Sequence, residues 1–563
     1  MRCAATAAVL GFLAAAEAAA QDEGTRVRCG GQRVTDIQVR ADPPFVGTER
    51  AWWQKPIRVL NSLHSTTDLS VILGYIILEP GDICSERQRA ESERILRAQP
   101  FLASASVATV SDGAGGVRLV VETRDEVSTV LSVSARGAML TGLTFGNRNL
   151  RGSATYGAIR WQKGEFRDTY GVHIVDHQFM GRRYVADLSA ARRDIGRSDW
   201  SADIAHPFLT DTQRVAWRTT MSEREDVFPF YRGSNADPAD VAVRRTFLDV
   251  GGVVRIGVPG RLSLFGVSFS RETDRAGVPP AIRDTTVDYG ELLAPFGARQ
   301  NARINALWGL RNITYRRVER FDALNAAQDV RLGFQAGALF GRSLSVLGAG
   351  DDDILVAADL YAGIGGGRRT FVSLNVRGEG RQNYDTNRWD GILGSGHLAY
   401  YQRIRDNHTV VTNVDWSGGW RQRIPFQLTL GDGRGGVRGY RRTRDAGGRR
   451  AVARLEDRWY LGDVRGQADL GLSFFADAGR LWAGDVLYGV DTPVRLGAGI
   501  GLLGSVPRGS KRTWRVDVAF PLSADGRAKW EVRLTTLNAN RSYWREPHDM
   551  ARSGEQSVPG NIF

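Results

Sequence analysis

The chain has 563 residues with 75 Lys and Arg against 62 Asp and Glu, a formal charge of +13, and only 3 Cys. This length suits one large domain with a small one, and beyond its first twenty residues no apolar run of 18 or more exists, so no helical membrane span is expected. Arginines are spread along the whole chain behind an export signal, which argues against nucleic acid as a partner and for anionic lipid or a charged lumen.

Arg2, the apolar stretch Ala4 to Ala16 and the small residues Ala18 to Ala20 read as a secretory signal peptide over 1–20. A short segment, 21–33, follows. Cys29 and Cys84 are the two cysteines outside the signal, a candidate disulfide in an oxidising compartment.

Residues 34–126 read as a small α/β unit. Val34 to Arg40 has strand character, and Leu69, Ile72, Leu73 and Ile76 recur at helical spacing behind Ser65, Thr66 and Thr67. Ser85 and Gln88 form a capping-box pair opening a second helix that carries Ile95 and Leu96 before Pro100. Phe101 to Val110 and Val117 to Thr123 are strands joined by a Ser-Asp-Gly-Ala-Gly-Gly turn.

From Met139 to Trp544 short segments alternate between apolar and polar residues. Val372, Leu374 and Val376 oppose Ser373, Asn375, Arg377 and Glu379; Trp514, Val516, Val518 and Phe520 oppose Thr513, Arg515, Asp517 and Ala519; Trp530, Val532 and Leu534 oppose Glu531, Arg533 and Thr535. Alternation alone fits a soluble sandwich as well as a membrane barrel; the signal peptide, the size of the region and the charged face favour the barrel. Roughly four hundred residues at about 25 per strand and connection gives on the order of sixteen strands. A polar tail, 545–563, ends the chain, with Trp544 and Phe563 as alternative terminal aromatics.

Within this region, Gly431 to Tyr440 reads Gly-Asp-Gly-Arg-Gly-Gly-Val-Arg-Gly-Tyr. Glycines let the backbone fold tightly, so the side chain of Arg438 can be aimed. Its expected partner is Asp477, in the strand-like Phe475-Ala476-Asp477-Ala478-Gly479, because a guanidinium fork suits a carboxylate. Glu456, sharing a strand face with Arg454 and Arg458, is the candidate second acid.

Motifs of enzyme chemistry are weak. Gly499 to Gly504 matches the dinucleotide fingerprint letter for letter, but it lies in a strand-like run followed by Pro507 and Arg508 rather than a helix. His173 and His177 share a strand face without a third ligand of obvious spacing. No enzyme activity, cofactor or metal is expected.

The order strand, helix, helix, strand, strand resembles a POTRA domain. It is followed by the entry segment Gly142-Leu143-Thr144-Phe145-Gly146-Asn147-Arg148-Asn149-Leu150-Arg151-Gly152, the Val-Arg-Gly-Tyr loop and the Phe-x-Asp-x-Gly strand. In that order the chain resembles the outer-membrane insertase and translocase superfamily of BamA, TamA and TpsB. The resemblance implies a mainly β fold, a transmembrane antiparallel barrel of about sixteen strands behind one periplasmic POTRA-like domain. It further implies a sixth extracellular loop folded into the lumen, carrying Val437, Arg438, Gly439 and Tyr440, against a wall bearing Phe475, Asp477 and Gly479. The partners implied are an extended client polypeptide, met by the exposed sheet edge at Val34 to Arg40 and by the barrel, together with outer-membrane lipid and lipopolysaccharide. The function implied is insertion of proteins into, or translocation across, the bacterial outer membrane; a passive channel or structural barrel is the alternative.

Overall fold

The structure, a computed structural model, describes residues 25–45, 59, 61–62, 64–136, 139–163, 168–193, 198–233, 236–279, 287–431, 435–441, 443–523, 529–538 and 548–554. The signal peptide, Trp544 and Phe563 lie outside them.

The N-terminal domain holds a four-stranded sheet: β1 (Gly30–Asp42), β2 (Ile83–Ser85), β3 (Leu102–Ser111) and β4 (Val117–Asp125), in the order β2-β1-β4-β3. Helix α1 (Leu69–Leu73) and helix α2 (Glu86–Ala98) supply Val71, Ile72, Ile95 and Leu96 to a core closed by Val34, Val107, Leu119 and Val121. β1 runs parallel to β4 and pairs at its start with β2, Gly30 opposite Ser85. β2 covers only the start of β1, so among the described residues the stretch beyond Val34 that reads as an edge pairs on one side alone, with β4. Cys29 and Cys84 are bonded, with Cα atoms 5.2 Å apart, and tie β1 to β2.

Among the described residues, those from Thr129–Arg136 to Glu531–Asn538 form a closed antiparallel barrel of 20 strands, each beside its neighbour in sequence. Both the expected count of sixteen and the expected start at Met139 are corrected. Strand and connection together take about 20 residues here, not 25, because many connections are tight turns, as between Val258 and Arg261. The barrel also begins ten residues earlier, directly behind β4.

Side-chain alternation is inverted relative to a soluble protein. On the strand Arg512–Pro521, Trp514, Val516 and Phe520 are exposed while Arg515 and Asp517 are buried; on Arg299–Glu319, Ile304, Trp308 and Leu310 face out while Arg303, Asn305 and Arg311 face in. Charges can stay inside only because they pair with one another, as Arg303 does with Asp353 at 2.7 Å. An apolar outer surface around a paired ionic lumen, with every barrel strand hydrogen-bonded, is what hydrocarbon demands of a sheet. This is a transmembrane β-barrel.

One mouth, here the near mouth, carries the N-terminal domain. Arg97 of α2 forks onto Asp329 with bonds of 3.0 and 2.8 Å, Arg94 donates to Leu209 O at 2.7 Å, and Arg183 donates to the carbonyls of Gly74 and Ile76. Buried Asp125 accepts from Thr67 N and Oγ1, and Asn149 of the entry segment donates to that same hydroxyl at 2.8 Å. The near-mouth turn after Glu319 folds inward, stacking Phe321 on Tyr401 with centroids 5.1 Å apart. Longer connections, such as Gly277 to Arg299 and Trp420 to Arg449, lie at the far mouth.

Candidate functional site, a lumenal loop pinned by an ionic cluster

The far-mouth connection after the strand His408–Trp420 does not stay outside. Its two-residue strands Leu428–Thr429 and Ala446–Gly447 pair, and the loop between them is drawn into the lumen. Phe426, Leu428, Leu430, Val437 and Tyr440 are buried together against Val452 and Leu481 of the barrel wall. This apolar face anchors the loop. In chain order it is the eighth far-mouth connection, not the sixth that the resemblance implies, because the four additional strands all precede it.

Arg438 is thereby aimed at the strand Ala468–Trp482. Its Nε donates to Asp477 Oδ2 at 2.8 Å, Nη2 donates to Oδ1 at 2.7 Å, and its backbone N–H donates to Oδ2 at 3.1 Å. The guanidinium also lies over the Phe475 ring, 3.6 Å from the centroid, where ring face and cation attract. Asp477 is 2% exposed, so little water competes for the pair.

Glu456 sits beside them. It accepts from Arg438 Nη1 at 3.5 Å, from Arg458 Nε at 2.7 Å and from Arg515 Nη1 at 2.7 and 2.9 Å. Arg515 reaches Asp517 Oδ1 at 3.0 Å in turn. Three guanidiniums and three carboxylates thus form one compact cluster of opposed charges, the condition under which buried ions are tolerated. Arg458 also donates to Phe321 O at 2.7 Å, joining the cluster to the inward near-mouth turn. A cavity of about 580 Å³ opens beside it, lined in part by Arg438, Arg441, Arg454, Glu456 and Asp517.

The remaining motif residues serve the approach of loop to wall. Tyr440 donates its hydroxyl to Leu496 O at 2.9 Å and accepts from Ser523 N at 3.2 Å; Gly439 turns the chain at φ 95°. At Gly479 a Cβ would stand 2.5 Å from Val437 Cγ2, so the Phe-x-Asp-x-Gly glycine clears the space Val437 fills. Gly497 does the same on the next strand, where a Cβ would meet Arg438 O at 2.3 Å. Backbone cannot rotate aside as a side chain can. Gly497→Ala is therefore expected to destabilise the barrel by about 1 to 3 kcal/mol by overpacking and to raise protease cleavage within the loop; unchanged melting and cleavage would refute the close approach.

The sequence pairs Arg438 with Asp477 and offers Glu456, but it does not assign Arg515, Asp517 or Gly497 to the site. The first two were signalled, since alternation around Trp514 and Val516 puts both on the inner face. Gly497 was not, because only the folded loop defines what it clears.

Gly499 to Gly504 lies inside the strand Arg495–Ser505, and His173 bonds Asp187 at 2.8 Å. Among the described residues no cluster of three or more metal-ligating side chains occurs.

No protein-family model matches the chain, and no curated protein matches it. Among solved structures it is similar to CdiB from Escherichia coli at 12% identity and TM-score 0.44, over 90% of this chain and 76% of that one. It is similar to BamA from Haemophilus ducreyi lacking POTRA domains 1-3 at 13% identity and TM-score 0.36, over 90% and 85%. It is also similar to the alcaligin outer-membrane receptor FauA from Bordetella pertussis at 10% identity and TM-score 0.32, over 77% and 70%.

Proposed function

We propose that this chain is an outer-membrane protein of the BamA and TpsB type, which assists insertion of proteins into, or their translocation across, the bacterial outer membrane. The observation that carries the reading is Arg438 of the Val-Arg-Gly-Tyr loop, seated in the lumen and forked onto Asp477 of the Phe-x-Asp-x-Gly strand. A loop pinned to one wall fixes the working shape of the barrel and helps the first and last strands part for a client. The work is not enzymatic and needs no cofactor or nucleotide, since client folding and local bilayer thinning supply the driving force.

The near mouth faces the periplasm in this reading. Short turns at that mouth and long connections at the other agree with the usual asymmetry of outer-membrane barrels. An extended client polypeptide meets the N-terminal domain first, then the barrel; lipid and lipopolysaccharide meet only the outer surface. Among the described residues the open edges are β3, β2 and the part of β1 beyond Val34, which β2 does not reach. These are the edges to test by cross-linking.

A passive barrel is the second reading, favoured by the ionic docking of α2 across the near mouth, which suits a fixed cap. Comparing outer-membrane and culture-supernatant proteins in cells with and without this chain separates the two. Loss of several membrane barrels is the result expected of an insertase, and loss of one exported protein, its precursor held in the periplasm, that expected of a translocase. No change in either fraction would discard polypeptide handling.

A further inference from the structure

We propose that the C-terminal segment is an internal plug: residues 548–554 occupy the barrel lumen and must leave it before the lumen can conduct. The last strand, Glu531–Asn538, ends at the near mouth, where Asn538 pairs with Arg512 and Arg512 donates to Pro100 O of the N-terminal domain at 2.9 Å. The helix His548–Ser553 is nevertheless found toward the far mouth, inside the walls. Asp549, Met550 and Ser553 are buried almost completely.

Its contacts lie on two separate parts of the barrel wall. Arg552 stacks its guanidinium 3.6 Å from the Phe228 centroid, and Arg245 Nη1 donates to Gly554 O at 3.2 Å, on the seventh and eighth barrel strands. A Cβ on Gly554 would lie 3.5 Å from Glu379 Oε2 and 3.9 Å from Leu393 Cδ1, on the thirteenth and fourteenth. The segment therefore joins two separate parts of the wall. Met550 joins the apolar cluster of Leu393, Phe426, Leu430, Val437 and Tyr440, so the plug rests on the same loop that presents Arg438.

Two features make it displaceable. A six-residue helix has almost no stability of its own, so this one exists by virtue of the walls around it. Its one large buried apolar side chain is Met550, and its two buried charges, Asp549 and Arg552, lie within 3.4 Å of each other and would leave with it. A barrel strand could not leave without opening the sheet; this segment can.

The test uses the folded, full-length protein with a protease site placed within 541–546, so that the tail is cut only after the barrel has formed. The cut protein is freed of peptide by gel filtration and compared with uncut protein in planar bilayers, with ion flux as the readout. Conductance is expected to rise several-fold, and a synthetic peptide of residues 548–563 to lower it again, while the same peptide with Met550→Glu does not. Unchanged conductance after release overturns the proposal. So does a peptide that cannot be removed, which would make the segment a fixed wall. A second variant, Ser553→Cys in the uncut chain, should react slowly with a membrane-impermeant maleimide, and faster when Met550→Glu is added; immediate reaction without that change would place the segment outside the lumen. Because flux and thiol access are read directly, neither outcome depends on polypeptide handling.

Discussion

Arg438→Ala is expected to free the lumenal loop and to cost about 3 to 5 kcal/mol, the range for removing one partner of a buried ion pair. The size follows from what remains. Asp477 would keep its place at 2% exposure with neither the guanidinium fork nor the cation over Phe475. Three carboxylates would then face two guanidiniums within one cluster. Arg438→Lys should recover little, because an ammonium cannot make two parallel bonds to one carboxylate and stack flat on a ring. Replacing both partners should be milder than replacing one, since the stranded charge is then absent. A double-mutant cycle on Arg438 and Asp477, read by thermal or denaturant unfolding, measures this coupling. Strictly additive effects would show that the contact does not hold the loop.

Loss of the disulfide has the next largest expected effect, and it falls on the other domain. Cys29 and Cys84 are 55 residues apart in sequence, and closing a loop of that length restricts the unfolded chain by about 4 kcal/mol in the chain-entropy account. Folded domains are commonly stable by only about 5 to 15 kcal/mol in all, so the bridge is a large share of the whole. Cys29→Ser with Cys84→Ser, or reduction of the native protein, should leave the barrel intact while exposing α1 and α2 to limited proteolysis. Survival of the N-terminal fragment under reducing conditions would mean instead that docking through Arg97, Arg94 and Arg183 supplies most of its stability.

Much of the fold was legible in the chain because its signals are local. Apolar spacing placed α1 and α2, and alternation placed β1, β3, β4 and the inner and outer faces of the barrel strands. The three-residue β2, which covers only the start of β1, fell below what alternation can reveal. Strand number was misjudged for a related reason: it depends on how short each connection can be made, which many residue combinations allow. At the site, Arg438, Asp477 and Glu456 stood out because an arginine in a glycine-rich loop and an acid flanked by alanines each call for a distant partner.

By itself, then, the sequence determined which residues face lipid and which face the lumen, and which cation and acids were available to pair. Only the tertiary structure decided that 20 described strands close the ring, that Gly497 clears the Arg438 carbonyl, and that Met550 lies among the apolar residues of the lumenal loop. The division has one physical cause. Periodicity is set by neighbours along the chain, whereas closure, close approach and occupation of a lumen are set by surfaces that exist only once distant strands have met.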